Sequence, residues 1–131
     1  MFKRWFDRVS VPALIILAAG LTIGAPAEAV DAGHGKSVFA AQCGTCHSAA
    51  KGGPNILGPN LYGVVGRTAG SVNGYSYSKG MKAAGFVWTD ARLDSYLPAP
   101  RTTVPGTKMS YAGLKDPAKR ADLIAYLDTL K

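Results

Sequence analysis

Three observations predict an all-α fold with long irregular loops. Apolar residues recur at three- and four-residue steps in several separate windows. Helix-capping residues stand where those windows begin. No run alternates apolar and polar residues for long enough to make a strand. With 16 Gly and 8 Pro in 131 residues, much of the chain must turn between its helices.

The elements follow in order. Val38, Phe39, Gln42, Cys43 and Cys46 share helical spacing, which predicts an N-terminal helix with the two cysteines at its C-terminal end. Gly53-Pro54-Asn55 and Gly58-Pro59-Asn60 then predict repeated turns. Gly63 to Gly85 has little regular pattern beyond a short helix starting near Ser78. Thr89 can cap a helix whose Leu93, Tyr96 and Leu97 share a face, and Pro98 and Pro100 are expected to stop it. The last helix is the clearest. Asp116 suits its N-cap and Pro117 its first position, and Leu123, Tyr126, Leu127 and Leu130 form its apolar stripe.

Before these elements lies a different kind of segment. Lys3, Arg4 and Arg8 precede an uncharged apolar run from Val9 to Ala25, and Ala27-Glu28-Ala29 has the small-x-small cleavage pattern. We read residues 1–29 as a cleaved secretory signal peptide and residues 30–131 as one small domain. The alternative is an uncleaved membrane anchor. Against it, Pro12, Gly20, Gly24 and Pro26 interrupt the run, and no linker separates it from the domain.

A formal net charge of +7 fits nucleic acid, an anionic membrane or an acidic protein. The absence of a long basic run and the export signal exclude nucleic acid. An acidic protein surface is the expected partner.

Chemistry enters with Cys43-Gly44-Thr45-Cys46-His47, the C-x-x-C-H pattern of covalent c-type haem attachment. It uses both cysteines of the chain and one of its two histidines. Two thiols that add across the two vinyl groups of a haem must sit close together on one turn. The next residue then lies where an imidazole can ligate the iron. A thioredoxin-like pair would need flanking strands of a βαβ unit. A structural zinc site needs four ligands, and His34 precedes the pair. A disulfide over so short a loop would constrain little of the unfolded chain.

Haem with His47 alone would leave an axial position open. Of the three methionines, Met1 falls in the signal. Met109 sits in the constrained loop Val104-Pro105-Gly106-Thr107-Lys108-Met109. Met81 reads as core filler or exposed surface. From spacing alone, Met109 could be a ligand or a packing residue.

An N-terminal C-x-x-C-H followed by Pro105-Gly106-Thr107-Lys108-Met109 resembles the class I cytochromes c of the mitochondrial and related bacterial type. The likeness runs through Gly33 to Phe39, Gly58-Pro59-Asn60-Leu61, Gly66-Arg67, Tyr75-Ser76-Tyr77, Trp88, Tyr96-Leu97 and Asp122 to Leu127. It implies N- and C-terminal helices packed together, with glycine-rich loops wrapping one covalent haem c held by Cys43 and Cys46. By the same resemblance His47 and Met109 are the axial ligands, and the Pro59 carbonyl accepts the outer imidazole proton of His47. Arg67, Tyr77 and Trp88 match groups around the haem propionates, and Tyr96 and Thr107 match groups near the methionine sulfur. Phe39 is expected to face Leu123 and Tyr126, with Gly35 allowing close helix approach. His34 is expected at the surface, with no partner ligand for a metal.

The function implied is a soluble one-electron carrier, a monomer that is not an enzyme and has no small-molecule substrate. Its expected partners are acidic surfaces of membrane redox complexes: a cytochrome bc complex as donor, and a terminal oxidase or photosynthetic reaction centre as acceptor. The chain departs from the mitochondrial proteins in two ways. Its ring of positive charge is thinner, with Lys36, Lys51, Arg101, Lys108 and Lys115 but Thr102 and Thr103 between them. It also carries the export signal, which points to a bacterial periplasm. The rivals are a haem subunit dedicated to one enzyme complex, a membrane-anchored carrier, and a gas-binding haem protein with an open distal site.

Overall fold

The computed structural model describes Gly20 and residues 24–131. The basic and apolar parts of the expected signal peptide therefore lie largely outside the described residues. Five helices follow: α1 Ala32–Gln42, α2 Lys79–Ala84, α3 Asp90–Tyr96, α4 Pro100–Thr103 and α5 Pro117–Asp128. Among the described residues the only extended pairing is an isolated antiparallel bridge between Thr68 and Val87.

Local chemistry starts four of these helices. Asp31 accepts from the backbone N–H groups of Gly33 and His34 to begin α1. Ser78 accepts from Met81 to begin α2, and Thr89 accepts from Arg92 to begin α3. Asp116 accepts from Ala118 and Lys119, with Pro117 at the first position of α5. Each cap satisfies donors that have no partner inside the helix. The prolines after α3 act differently from expectation. Pro98 follows the end of α3, but Pro100 opens the single turn α4, because a proline ring is preorganised for a first helical position.

Helices α1 and α5 pack against each other and carry the core. Val38, Phe39, Leu123, Ile124 and Leu127 are buried there, and Leu123 is only 1% exposed. The Phe39 and Tyr126 rings lie 5.5 Å apart between centroids in a tilted arrangement. Gly35 makes the crossing close: a Cβ at this position would run into the backbone carbonyl of Asp122. No larger residue fits there without separating the helices. Arg120 ties α5 to α3 through a 2.6 Å contact with Asp94 and also donates to the Leu114 carbonyl at 3.1 Å. Together, α1 and α5 form a rigid base from which the turn after α1 projects.

Candidate functional site

Cys43 caps the C-terminus of α1, and the chain turns at once. The N–H groups of Cys46 and His47 both donate to the Cys43 carbonyl, at 3.0 and 2.9 Å. This tight turn puts both thiols and the imidazole on one short stretch of backbone. Burial and the neighbouring Cys46 push the Cys43 thiol up to about 11.

His47 is fixed from two directions. Its Nδ1 lies 2.7 Å from the Pro59 carbonyl, which makes Nδ1 the protonated nitrogen and leaves Nε2 as the free electron pair. Gly58 lies flat against the ring: a Cβ there would collide with the imidazole. Gly58 is held in turn by its N–H to the Cys46 carbonyl at 2.8 Å. Burial keeps the His47 pKa below its ordinary value; the Pro59 bond opposes that shift, and the Arg67 charge adds to it. The result is a neutral, oriented imidazole, the form that binds a metal ion.

A cavity opens beside this ring, with about 830 Å³ of empty space including its solvent-open mouth. Cys43, His47, Pro59, Arg67, Tyr77, Trp88, Tyr96, Thr107 and Met109 all line it. Of the residues expected to hold or surround the haem, only Cys46 is absent from the wall. Met109 arrives from the loop after α4. The Tyr96 hydroxyl donates to its sulfur at 3.3 Å, and the Thr107 hydroxyl accepts from its backbone N–H at 3.3 Å. Burial pushes the Tyr96 phenol above its ordinary pKa, opposed by a hydrogen bond with Thr107, so Tyr96 stays a donor. Lys108 clamps the loop from outside, its ammonium donating to the Ser76 carbonyl at 2.7 Å.

Across the cavity, Arg67 donates to the Tyr62 carbonyl at 3.0 Å. The Tyr77 hydroxyl accepts from the Val72 N–H at 3.1 Å. Trp88 stacks edge-on against both Phe86 and Tyr96, with centroids 4.8 Å apart in each pair. Hydrogen bonds between Trp88 and Arg67, 2.9 Å, and between Gly66 and Trp88, 2.7 Å, set the strand-like segment that carries Arg67 and Trp88 side by side.

Packing decides between the two readings of Met81: it is buried and lines the cavity, as a core residue does. His34 is exposed as expected, and its Nδ1 lies 2.6 Å from Asp122 on α5. Sequence reasoning also missed Ser78, Tyr75 and Lys108 as wall residues. Tyr75 and Lys108 had signals in their positions beside Tyr77 and Met109, but exposure alone gave no reason to choose them.

The wall offers one imidazole nitrogen and one thioether sulfur as metal donors. Among the described residues no three His, Cys, Asp or Glu side chains gather to hold a bare ion. Two donors on one wall, a pair of cysteines on the adjoining turn and a largely apolar cavity fit a metal that brings further ligands of its own, as the iron of haem does. The family model for cytochrome c matches residues 32–131. The chain belongs to the cytochrome c family. Cytochrome c of Trypanosoma brucei brucei is 60% identical over 84 residues, which cover 64% of this chain and 90% of that protein. Cytochrome c2 of Rhodopila globiformis is 52% identical over 101 residues, covering 77% and 94%. Cytochrome c2 of Blastochloris viridis is 45% identical over 114 residues, covering 87% of each. As a cytochrome c, the chain is an electron carrier and not an enzyme, with one haem bound covalently through Cys43 and Cys46.

Proposed function

We propose that this cytochrome c is a soluble one-electron shuttle of a bacterial periplasm, with His47 and Met109 as its axial haem ligands. The observation that carries this reading is the shared cavity of His47 and Met109, each sulfur or nitrogen donor oriented by its own hydrogen bond. Bound there, the haem supplies one-electron ferric–ferrous chemistry.

The protein's contribution would be to hold His47 and Met109 as two ligands of that haem, leaving no place on the iron for an added ligand. Pro59 and Gly58 hold the His47 ring in one tautomer and orientation. Tyr96, Thr107 and Lys108 hold the Met109 loop. A soft thioether favours the reduced state and raises the potential. Arg67 offers a half-buried cation, with Tyr77 and Trp88 beside it, for the haem propionates. Such carboxylates are costly to remove from water without a partner.

The export reading rests on residues 1–29 acting as a cleaved signal peptide before the domain at 30–131. No helix among the described residues is long and apolar enough to cross a membrane. Cytochromes named c2 from two bacteria match over most of their length, which supports a bacterial setting. The basic charge supports docking to acidic surfaces of a cytochrome bc complex, a terminal oxidase or a photosynthetic reaction centre.

Two measurements test the reading together. Mass spectrometry of the native protein should give the mass of residues 30–131 plus one haem. The ferrous protein should bind carbon monoxide negligibly at neutral pH. Ready carbon monoxide binding would overturn the closed six-coordinate site.

A further inference from the structure

The chain has three asparagines, Asn55, Asn60 and Asn73, and their surroundings set one apart. Asn60 is locked at both ends of its amide. Its Nδ2 donates to the Ala50 and Gly53 carbonyls at 2.9 and 2.8 Å, and its Oδ1 accepts from the Tyr62 N–H at 2.8 Å. Asn55 is bonded at both ends as well. Its Oδ1 accepts from the Asn60 N–H at 2.9 Å, and its Nδ2 donates to the Asn73 backbone carbonyl at 3.4 Å. Bulky residues, Ile56 and Leu61, follow these two asparagines.

Asn73 differs in each respect. It is exposed, and Gly74 follows it. Among the described residues its one hydrogen bond is made by the backbone carbonyl, so no described group pairs with its side-chain amide. No described residue accepts from the Gly74 N–H either. The two residues form the middle of a turn from Val72 to Tyr75, closed by a long bond of 3.5 Å from the Tyr75 N–H to the Val72 carbonyl. Gly74 sits at φ +77°, which glycine adopts without strain. A Cβ there would meet only Asn55 Nδ2, at 4.0 Å, so the backbone of Gly74 is open to approach.

We propose that Asn73 is a site of spontaneous deamidation, converted to aspartate and isoaspartate through a succinimide formed with Gly74. The Gly74 nitrogen gives its proton to solvent and attacks the side-chain carbonyl carbon of Asn73. The new N–C bond closes a five-membered ring, and the Cγ–Nδ2 bond breaks with loss of ammonia. Water then opens the ring. Opening at the side-chain carbonyl gives aspartate, and opening at the backbone carbonyl gives isoaspartate, whose main chain is one carbon longer. Water is the only co-reactant, and no oxidant is needed. Nucleophile and carbonyl stand on adjacent residues, so the reaction is intramolecular from the start. A side chain on the following residue shields that nitrogen, which is the protection Ile56 and Leu61 give to the other two asparagines.

The modification changes more than one charge. A carboxylate replaces a neutral amide on a basic protein. Isoaspartate also displaces the residues that follow it. The Tyr75 hydroxyl donates to the Leu57 carbonyl at 2.9 Å, and the Ser76 carbonyl accepts from the Lys108 ammonium at 2.7 Å. These two ties fasten the segment just after Asn73 to the turn before Gly58 and to the Met109 loop. A longer main chain moves both out of register, so the isoaspartate form loses ties that the aspartate form keeps. The change reaches the cavity wall, because Tyr75 and Lys108 both line it.

The test ages the haem-loaded protein in warm, mildly alkaline buffer, alongside Asn73→Ser and Asn73→Asp. Peptide mass mapping follows each asparagine, released ammonia is titrated, and isoaspartate is counted by enzymatic methylation. Asn73 should convert at least about tenfold faster than Asn55 or Asn60, in step with ammonia release and with isoaspartate in the product. Asn73→Ser should release little ammonia over the same period. The isoaspartate form, separated by ion exchange, should melt at a lower temperature than Asn73→Asp, which carries the same charge on a main chain of normal length. Conversion of Asn55 or Asn60 as fast as Asn73 overturns the proposal. An Asn73 that stays intact in the folded protein yet converts in the urea-unfolded chain also overturns it, because the fold then shields the site. Aspartate formed without isoaspartate would assign direct hydrolysis and overturn the succinimide route. Equal midpoints for the isoaspartate form and Asn73→Asp overturn the loss of the Tyr75 and Lys108 ties.

Discussion

His34 Nδ1 lies 2.6 Å from Asp122 Oδ2, which joins the first turn of α1 to the middle of α5. The other carboxylate oxygen of Asp122 accepts from the Asp31 backbone N–H at 2.7 Å, and Asp31 in turn caps α1. One carboxylate on α5 thus holds the entry of α1 from both sides.

This arrangement gives stability a pH dependence. The Asp31 N–H and then His34 draw the Asp122 carboxyl below its ordinary 3.8. A carboxylate depressed on folding contributes stability above its unfolded pKa, and that contribution is lost as pH falls through the folded value. Asp122→Asn should therefore lower the thermal midpoint at neutral pH and converge with wild type at acid pH. Circular dichroism melts across that range check it. A constant difference at every pH would assign the effect to packing rather than charge.

Gly35→Ala should be more damaging than its one added methyl suggests. The new Cβ meets the Asp122 backbone carbonyl and crowds Tyr126 Cβ at 2.9 Å, and neither atom is the free end of a flexible chain. Displacing α1 from α5 by this route should cost about 1–3 kcal/mol, read from denaturant midpoints of the haem-loaded protein. Absorption near the haem should change little, because the clash lies near the N-terminal end of α1 while Cys43 caps its C-terminal end.

Tyr96→Phe removes one hydrogen bond and leaves the ring. The Tyr96 hydroxyl donates to the Met109 sulfur; on the proposed ligation it would draw electron density from that sulfur, weaken its donation to iron and favour the reduced state. Losing a bond of about 0.5–1.5 kcal/mol should lower the potential, by at most about 60 mV for one electron. Voltammetry reads it directly. Carbon monoxide should still be excluded, since Thr107 and Lys108 continue to hold the loop.

The parts of the molecule legible in the sequence were those set by neighbours in the chain. Asp31, Ser78, Thr89 and Asp116 cap their helices through residues two or three positions away, and the Cys43–His47 turn is equally local. The likeness to a known family added the long-range relationships, such as Pro59 to His47 and Tyr96 to Met109. What escaped depended on packing peculiar to this chain. Whether Met81 faces inward depends on how α2 seats against Gly70, where an added Cβ would lie 2.9 Å from the Met81 carbonyl oxygen. His34 found a partner 88 residues away, which neither spacing nor composition encodes. Pro100 was read as a stop, although proline opens a helix as readily as it ends one.

Two methionines line one cavity, and their substitutions should separate ligand from packing. Met109 carries a hydrogen bond on its sulfur and sits in a loop held by three side chains. Met81 is buried at the start of a short helix, and only its backbone N–H is bonded. If Met109 is the ligand proposed, Met109→Ala should lower the potential sharply and let the ferrous protein bind carbon monoxide. Met81→Ala should cost about 2–5 kcal/mol through the space it leaves, yet keep carbon monoxide out. Optical titration with the gas and denaturant unfolding of both variants check the pair. Carbon monoxide binding by Met81→Ala but not by Met109→Ala would reverse the assignment of the sulfur ligand.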